Sequence, residues 1–252
     1  MALALTGCSF VVNGLQSGTT EDNGDLAMDV ADLAVGDGDI AMSAPGDMAQ
    51  PPPADLAMPP DLATPIGLLT GTIAQTTGTT IDLSAEGTAD WAHWGTANKN
   101  SFDHKNVATP LISDFTPVVG NETITQLGTY ALGFSWSDGT PTATATNSTT
   151  GVYTTGNGTG FRITVPADLT TRTLRLYCGG QMSSATVTAH LSDGSAADYT
   201  TTTMAGAGDT GTQFERTVTL VYHAVSAAQT LVVTWAQSSA GGYVHVHSAT
   251  LQ

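Results

Sequence analysis

The chain is poor in positive charge, in charged residues of either sign and in cysteine. Only six Lys and Arg stand against 22 Asp and Glu, and charged residues make up 11% of its 252 residues. The formal net charge of −16 argues against a nucleic-acid partner, because phosphate binding needs clustered Lys and Arg. Solubility must come from Thr, Ser, Gly and Asn, and this composition is typical of extracellular β-proteins, since Thr fits a half-buried pleated surface.

The charges divide the chain into two parts. No Lys or Arg precedes Lys99, and ten of the 22 acidic residues lie between Glu21 and Asp61, which leaves twelve for the rest. Residues 9–65 repeat Asp-Leu-Ala-Met among Gly and Pro residues that break helices. This part has too few large apolar residues to offset the entropy of an ordered chain. We therefore predict a disordered, acidic, Pro-rich linker over 9–65.

The N-terminus carries a motif for lipid attachment. Leu5-Thr6-Gly7-Cys8 resembles the lipobox of bacterial lipoproteins, and the Asp-Leu-Ala-Met runs resemble the stalks of myxobacterial lipoproteins. Residues 1–8 are then the last part of a truncated lipoprotein signal peptide. The apolar stretch before Cys8 is too short for a complete signal sequence, so we expect the true start codon to lie upstream. The resemblance implies a lipid anchor on Cys8, a membrane partner and a location at the bacterial outer membrane, on the cell surface.

From Ile66 to the end, residues 66–252, the pattern changes to short Thr- and Val-rich runs between Gly, Pro, Asn and Asp. Apolar and polar residues alternate most clearly around Leu220 and Val233. Period-two alternation over many short runs predicts an all-β domain, an antiparallel β-sandwich or barrel. Candidate strands are 67–73, 79–83, 89–94, 130–136, 140–146, 160–165, 173–178, 185–191, 214–223, 230–235 and 243–251.

Local features of this domain give three further expectations. Asp138-Gly139 and Asp193-Gly194 are predicted to close β-hairpins, because Asp-Gly is favoured where a turn needs positive φ. Cys178 shares a strand face with Leu174 and Leu176 in the predicted strand. It is predicted to be a small buried hydrophobic residue and not a nucleophile.

Several motifs resemble a module of large secreted bacterial proteins that often lies beside carbohydrate-active or adhesive domains. They include Asp90-Trp-Ala-His-Trp-Gly95, Ser101-Phe-Asp-His-Lys105 and Phe134-Ser-Trp-Ser-Asp-Gly139. The module is similar to galactose-binding-like jelly rolls. The resemblance implies a jelly-roll fold and a surface location, and it suggests glycan binding. A structural calcium ion is possible in such folds, but the sequence assigns it no ligands, and we predict no other cofactor.

The densest polar and aromatic cluster is the candidate ligand-binding site. It comprises Asp90, Trp91, His93, Trp94, Asp103, His104 and Lys105. In one interpretation an exposed indole stacks on a sugar while the polar side chains bind its hydroxyl groups. In the other, the tryptophans fill the core and the polar side chains cap turns and pair with each other. Trp136 and Trp235 end alternating strands and are predicted to be core residues.

Metal binding and catalysis have weaker support. His245 and His247 share one face of the last predicted strand, and two His at i and i+2 can bind zinc. The other His residues could join them only through the fold, and no Cys or carboxylate lies nearby in the sequence. A serine-hydrolase Gly-x-Ser-x-Gly elbow is absent, and the acids that a glycosidase needs as a facing pair are scattered. We therefore predict no metal site and no catalytic residues.

Three hypotheses remain open at this point. A glycan-binding surface module predicts an exposed aromatic ring beside Asp90, His93 and His104. A structural or adhesive surface protein that contacts other proteins or matrix predicts that every tryptophan is buried. An enzyme, the third, predicts two converging carboxylates or a cleft lined by histidines.

Overall fold

A computed structural model describes residues 66–252, so the predicted lipobox at Cys8 and the predicted linker over 9–65 lie outside the described residues. The described part is all-β, with one helix of four residues, which is too short to cross a membrane. In chain order the elements are β1 Leu68–Gln75, β2 Thr80–Asp82, α1 Leu83–Glu86, β3 Asp90–Trp94, β4 Phe102–Lys105, β5 Thr116–Pro117, β6 Thr125–Leu127, β7 Gly133–Trp136, β8 Gly139–Thr140, β9 Ala145–Ser148, β10 Gly151–Thr154, β11 Gly160–Ala167, β12 Arg172–Gln181, β13 Ser184–Leu191, β14 Tyr199–Met204, β15 Gln213–His223, β16 Gln229–Gln237 and β17 Tyr243–Leu251.

Two antiparallel sheets form the predicted sandwich. The nine-stranded sheet has the order β1-β15-β12-β17-β3-β4-β8, with β10 and β6 joined to β17, and the five-stranded sheet has the order β14-β13-β16-β11-β5. The main core lies between them and takes alternate residues from each strand, because successive side chains of a strand point to opposite faces. Its members include Val218, Leu220, Tyr222, Leu231, Val233 and Trp235.

A small third sheet lies on the other face of the nine-stranded sheet. It has the order β2-β7-β9, with β2 and β7 parallel. Together with α1 it encloses a second core of Leu83, Trp91, Leu132, Phe134, Trp136 and Tyr177. This cover is partial, since Glu215 and Tyr243 on the same face keep some exposure.

Strand β17 carries a β-bulge at His247. Val246 and Ala249 both belong to the main core, although a regular strand would point residues of this spacing to opposite faces. The register against β12 shifts at the same place and leaves His247 without a partner on β12. As a result His247 and Ser248 both lie on the face away from the main core, which is the effect expected of a bulge.

The structure confirms some of the local predictions and corrects others. Strand β17 has the predicted bounds, Cys178 is buried, and Gly194 takes φ 62° in the turn between β13 and β14. The hairpin predicted at Asp138-Gly139 is wrong, because β7 pairs with β2 and β9 while β8 pairs with β4. The predicted strand 140–146 is two strands, since Pro141 cannot donate to a ladder and the chain turns there.

Five strands were missed, namely β4, β5, β6, β10 and β14. Four of them have two to four residues, too few to show a period of two. The fifth, β14, is an edge strand with the sequence Tyr-Thr-Thr-Thr-Thr-Met, in which both faces are almost equally polar.

We expect Leu220→Ala to lower the free energy of unfolding by about 2–5 kcal/mol, the usual cost of such a truncation in a packed core. Leu220 is fully buried in the main core. Leu169→Ala is the matched control, since that side chain is 70% exposed and its loss should change stability by less than about 0.5 kcal/mol. Urea unfolding measures both; equal losses would contradict the assigned core.

Candidate functional site

The predicted sugar platform is buried. All five residues of β3 are buried, with Trp91 and Trp94 at 0% exposure, and Trp136 and Trp235 are buried as well. The reason is that β3 is an inner strand, so Trp94 faces the main core and Trp91 faces the second core. Contrary to the expectation of an exposed indole, all four tryptophans are core side chains.

The two carboxylates of the predicted site hold loops in place. Asp90 accepts hydrogen bonds from the backbone N–H groups of Leu111 and Ile112, at 2.6 and 2.9 Å. Asp103 accepts one from the N–H of Thr142 at 2.9 Å. Burial raises the pKa of Asp90, and these backbone donors oppose that effect. Both side chains are almost fully buried, so their partners are inside the protein, as turn caps require.

The carboxylate of Asp138 links Trp91 and Lys105 of the predicted site by hydrogen bonds. It accepts from Lys105 Nζ at 2.8 Å, from Trp91 Nε1 at 2.9 Å and from Ser84. Burial raises the pKa of Asp138, but these hydrogen bonds outweigh it and hold the pKa below its usual value. His104 and Lys105 are only partly buried, and His104 Nδ1 lies 2.9 Å from the Lys105 carbonyl oxygen. The polar residues of the predicted site thus pair with each other and with turns.

His93 is a structural histidine. Its Nδ1 lies 2.7 Å from Ser248 Oγ, and its Nε2 lies 3.1 and 3.2 Å from the hydroxyl oxygens of Ser148 and Thr150. Burial first, and then the charge of His247, lower the pKa of His93 to about 3. The ring is therefore neutral near pH 7, and hydroxyl groups satisfy both of its nitrogen atoms.

A different site, which the sequence analysis missed, opens where β15 meets three loops. It is a pocket of about 210 Å³ on the face of the nine-stranded sheet that the third sheet only partly covers. Its lining includes the half-buried ring of Tyr130 and the polar side chains of Gln75, Thr76, Asp209, Gln213 and Glu215. A larger hollow of about 430 Å³ lies elsewhere, lined in part by Lys99, Asp114 and Phe115.

At the floor of the pocket, Glu215 meets two histidines of β17. Glu215 Oε1 lies 3.0 Å from His245 Nε2 and 3.5 Å from His247 Nε2. Both imidazoles are fully buried, whereas the Glu215 side chain is 16% exposed. Burial raises the pKa of Glu215, but its contacts with the two histidines lower it to about 2. Burial lowers the pKa of His245, and Glu215 opposes that shift.

Gly179 allows the side chains of Glu215 and His245 to come into contact. Gly179 on β12 pairs with Glu215 on one side and with His245 on the other, so one whole strand separates the two side chains. A Cβ at position 179 would lie 2.6 Å from His245 Nε2. Because Gly179 has no side chain, Glu215 and His245 reach each other across β12. No carboxylate lies near the histidine pair in the sequence, and the fold supplies one, Glu215.

Comparisons with known proteins place the chain in no family: no protein-family model matches it, and no curated protein does. Among solved structures it is similar to the carbohydrate-binding module TmCBM61 in complex with β-1,4-galactotriose, at 9% identity over 56% of this chain and 88% of that one, with a TM-score of 0.36. It is also similar to the enzymatically active domain of tailspike protein 4 from bacteriophage CBA120, at 12% identity, 56% and 19% coverage and a TM-score of 0.36. A third similarity is to the CBM22-1–GH10 modules of Clostridium thermocellum endo-1,4-β-D-xylanase 10B with xylohexaose, at 9% identity, 54% and 26% coverage and a TM-score of 0.33. Similarity at this level carries no functional inference for this chain.

The pKa of His93 predicts a specific pH dependence of stability. As the pH falls from 6.5 toward 3, the unfolded chain takes up a proton at His93 that the folded chain does not. The stability that the neutral ring contributes is therefore complete above pH 6.5 and is lost through this window. We expect His93→Gln to be less stable than the natural chain at pH 7.5 and to lose less stability between pH 6.5 and 3.

Urea unfolding at a series of pH values measures this difference. Leu220→Ala is the control, since it removes a buried side chain with no titratable group and should lower stability without changing its dependence on pH. A His93→Gln curve parallel to that of the natural chain would contradict the assigned neutral state.

Proposed function

We propose that residues 66–252 form a non-catalytic binding module for carbohydrate and that the ligand enters the pocket beside Tyr130. The observation that carries this proposal is the composition of that pocket. A half-buried tyrosine ring stands there among amide, hydroxyl and carboxylate side chains. The pocket has a volume of about 210 Å³, which is below the roughly 300–1,000 Å³ of sites for drug-sized ligands. A pocket of this size suits one sugar residue at the end of a glycan.

The pocket chemistry matches a polyhydroxylated ligand. Gln75 and Gln213 each offer an amide donor and acceptor, and Thr76 offers a hydroxyl group that can do both. The half-buried ring of Tyr130 offers an apolar aromatic surface, which complements the C–H face of a pyranose. These groups recognise a neutral ligand rich in hydroxyl groups better than an anion, because the carboxylates of Asp209 and Glu215 also line the pocket.

The pocket wall is held rigid before any ligand arrives. Arg216 forms a two-pronged ion pair with Asp209, with N–O distances of 2.8 and 2.7 Å, and also donates to the Met204 carbonyl oxygen at 2.7 Å. The hydrogen bonds from Arg216 lower the pKa of Asp209 and keep its carboxylate ionised. Gln75 Nε2 donates to the Gly208 carbonyl oxygen at 2.5 Å. Such preorganisation reduces the ordering cost of binding.

A second candidate function is that of a structural or adhesive surface protein that contacts other proteins or matrix. The burial of all four tryptophans, Trp91, Trp94, Trp136 and Trp235, favours it, since glycan binding through an exposed indole was the alternative. The two candidates differ in whether isolated glycans bind.

We also propose that the chain is displayed on the bacterial outer membrane through a lipid on Cys8, with 9–65 as a linker. The support is in the sequence, namely the Leu5-Thr6-Gly7-Cys8 motif and the acidic, Pro-rich segment that follows. A lipid-modified Cys that bears several acyl chains is sufficient for stable membrane anchoring.

The full chain should bind at least one glycan on an array of bacterial and plant polysaccharides. We expect Tyr130→Leu to weaken that binding by at least about tenfold, which corresponds to about 1.4 kcal/mol. Phe115→Leu, in the larger hollow, is the matched control and should leave the affinity unchanged. Isothermal titration with the best glycan gives the affinities, and product analysis by chromatography checks that the glycan stays intact.

Three outcomes would count against this proposal. Failure of the folded natural chain to bind any glycan would favour the structural or adhesive candidate. Loss of binding in Phe115→Leu alone would move the site to the larger hollow. Shortened glycan products would replace the binding module with an enzyme.

Cys8→Ser should move the protein from the membrane fraction to the soluble fraction when it is expressed in its natural host. The reason is that serine cannot form the thioether that carries the lipid. Fractionation with immunoblotting measures the shift, and Cys178→Ser is the control, since that thiol is buried. Equal membrane association of both variants would contradict lipidation at Cys8.

A further inference from the structure

The cluster beneath the pocket leaves polar atoms without partners. Eight buried side-chain nitrogen and oxygen atoms of the described residues lack a hydrogen-bond partner, and half of them belong to this one cluster. They are Tyr130 OH, Glu215 Oε2, His245 Nδ1 and His247 Nε2. The Tyr130 ring packs on both imidazoles, with centroids 4.6 and 5.4 Å away. Buried polar atoms are normally paired, so such a concentration indicates a missing partner.

The proton on His247 can be placed from its surroundings. Its Nδ1 lies 2.9 Å from the Thr150 carbonyl oxygen, which can only accept, so Nδ1 carries a hydrogen. In a neutral ring Nε2 then has a lone pair, and it lies 3.5 Å from Glu215 Oε1. A lone pair and a carboxylate oxygen that face each other repel. A cation between them, either a second proton on the ring or a metal ion, removes the repulsion.

The hydrogen bonding of His247 is that of a metal-binding histidine. Its Nδ1 donates to the Thr150 carbonyl oxygen at 2.9 Å, and metal-binding histidines usually donate their other ring N–H in this way. Its Nε2 faces Glu215 Oε1 at 3.5 Å, where an ion can lie between them. His245 has a compatible arrangement, because its Nδ1 has no partner and can hold the ring proton while Nε2 faces an ion.

We propose that Glu215, His245 and His247 bind a divalent first-row transition-metal ion of the zinc class. One ligand atom from each residue lies within 4.8 Å of the other two. Zinc takes such His and carboxylate ligands at about 2.0–2.2 Å, so small side-chain rotations bring the three atoms around one ion. Imidazole ligands select this class of metal. Calcium, by contrast, takes six to eight oxygen ligands.

The ion also has a route in from solvent. Glu215 lines the pocket and is the partly exposed member of the three, while both histidines lie behind it. Protein ligands then number three, and a tetrahedral zinc ion keeps its fourth position for water or a ligand atom. This inference does not depend on what the pocket binds.

Isothermal titration of the untagged full chain, stripped with a chelator, tests the site with ZnCl₂ at pH 7.5. We expect one high-affinity zinc per chain, with binding weakened at least 100-fold in His245→Gln and in His247→Gln. His190→Gln, a replacement at an exposed histidine on another strand, should bind as the natural chain does. CaCl₂ should give no saturable binding at the same site. Absence of stoichiometric zinc binding, or equal binding by all variants, would overturn the proposal.

Two further measurements keep the test valid if a histidine variant misfolds. Glu215→Gln keeps the size of the side chain and both imidazoles but removes the carboxylate ligand, so we expect it to weaken zinc binding at least 100-fold while circular dichroism still shows a β-protein. X-ray absorption of the zinc-loaded natural chain should show two imidazoles and N or O ligands at about 2.0–2.1 Å. Sulfur ligands, or a single imidazole, would contradict the assigned site.

Discussion

Both faces of the nine-stranded sheet are covered along its inner strands, and every polar side chain there must find a partner inside the protein. On β3 this holds for Asp90 and His93, which are fully buried. An unpaired polar group in such a place costs several kcal/mol relative to water. The network from Asp90 to the loop at 111–112 and the hydroxyl groups around His93 meet that constraint. These hydrogen bonds therefore allow Asp90 and His93 to be buried on a strand that has a hydrophobic core on each face.

The need for internal hydrogen-bond partners also distinguishes His93 from His245 and His247. His93 has hydroxyl groups on both nitrogens, which can donate or accept as the ring requires. His245 and His247 have between them one carboxylate and one carbonyl oxygen, and each keeps one nitrogen without a partner. A ring whose partners are all hydroxyl groups is stable as a neutral group. Both nitrogens of His247 face acceptors, the Thr150 carbonyl oxygen and Glu215 Oε1, so a cation beside Nε2 would stabilise this ring. This difference distinguishes a structural histidine from a proposed ligand.

The fold was predictable because the main core takes every second residue of long strands such as β15 and β16, so its signal repeats over many residues. The third sheet was not predicted, although its strands overlap the candidate strands 79–83, 130–136 and 140–146. An alternating pattern does not show which strands pair, and here β2 and β7 pair in parallel. For the sequence Asp90-Trp-Ala-His-Trp94 both a binding surface and a buried strand stayed open, because mixed aromatic and polar residues fit either. One sequence cannot show that a second layer covers that strand.

Two of the three proposed metal ligands were recognised as a pair in the sequence. His245 and His247 were recognised as a pair on one strand face, but Glu215 lies 30 positions before His245 and on a strand that is not its neighbour. The one available signal was Gly179-Gly180 inside an apolar strand, since glycine in a strand interior often marks the close approach of other groups. Only the pairing of Gly179 with both Glu215 and His245 turns that signal into a site.

Positive charge is scarce in the domain, and Glu215 has no Lys or Arg partner. Four of the six Lys and Arg residues each pair with an acid, and the buried pair of Arg216 and Asp209 is one of them. Among the described residues Glu215 has only His245 and His247 as ion-pair partners, and imidazoles supply charge only when they are protonated. A buried carboxylate without a permanent cation lowers stability, and a divalent ion bound by the same three side chains supplies positive charge without a protonated imidazole. The contact of Glu215 with His245 and His247 costs free energy as an ion pair, and the proposed metal ion would stabilise the same arrangement.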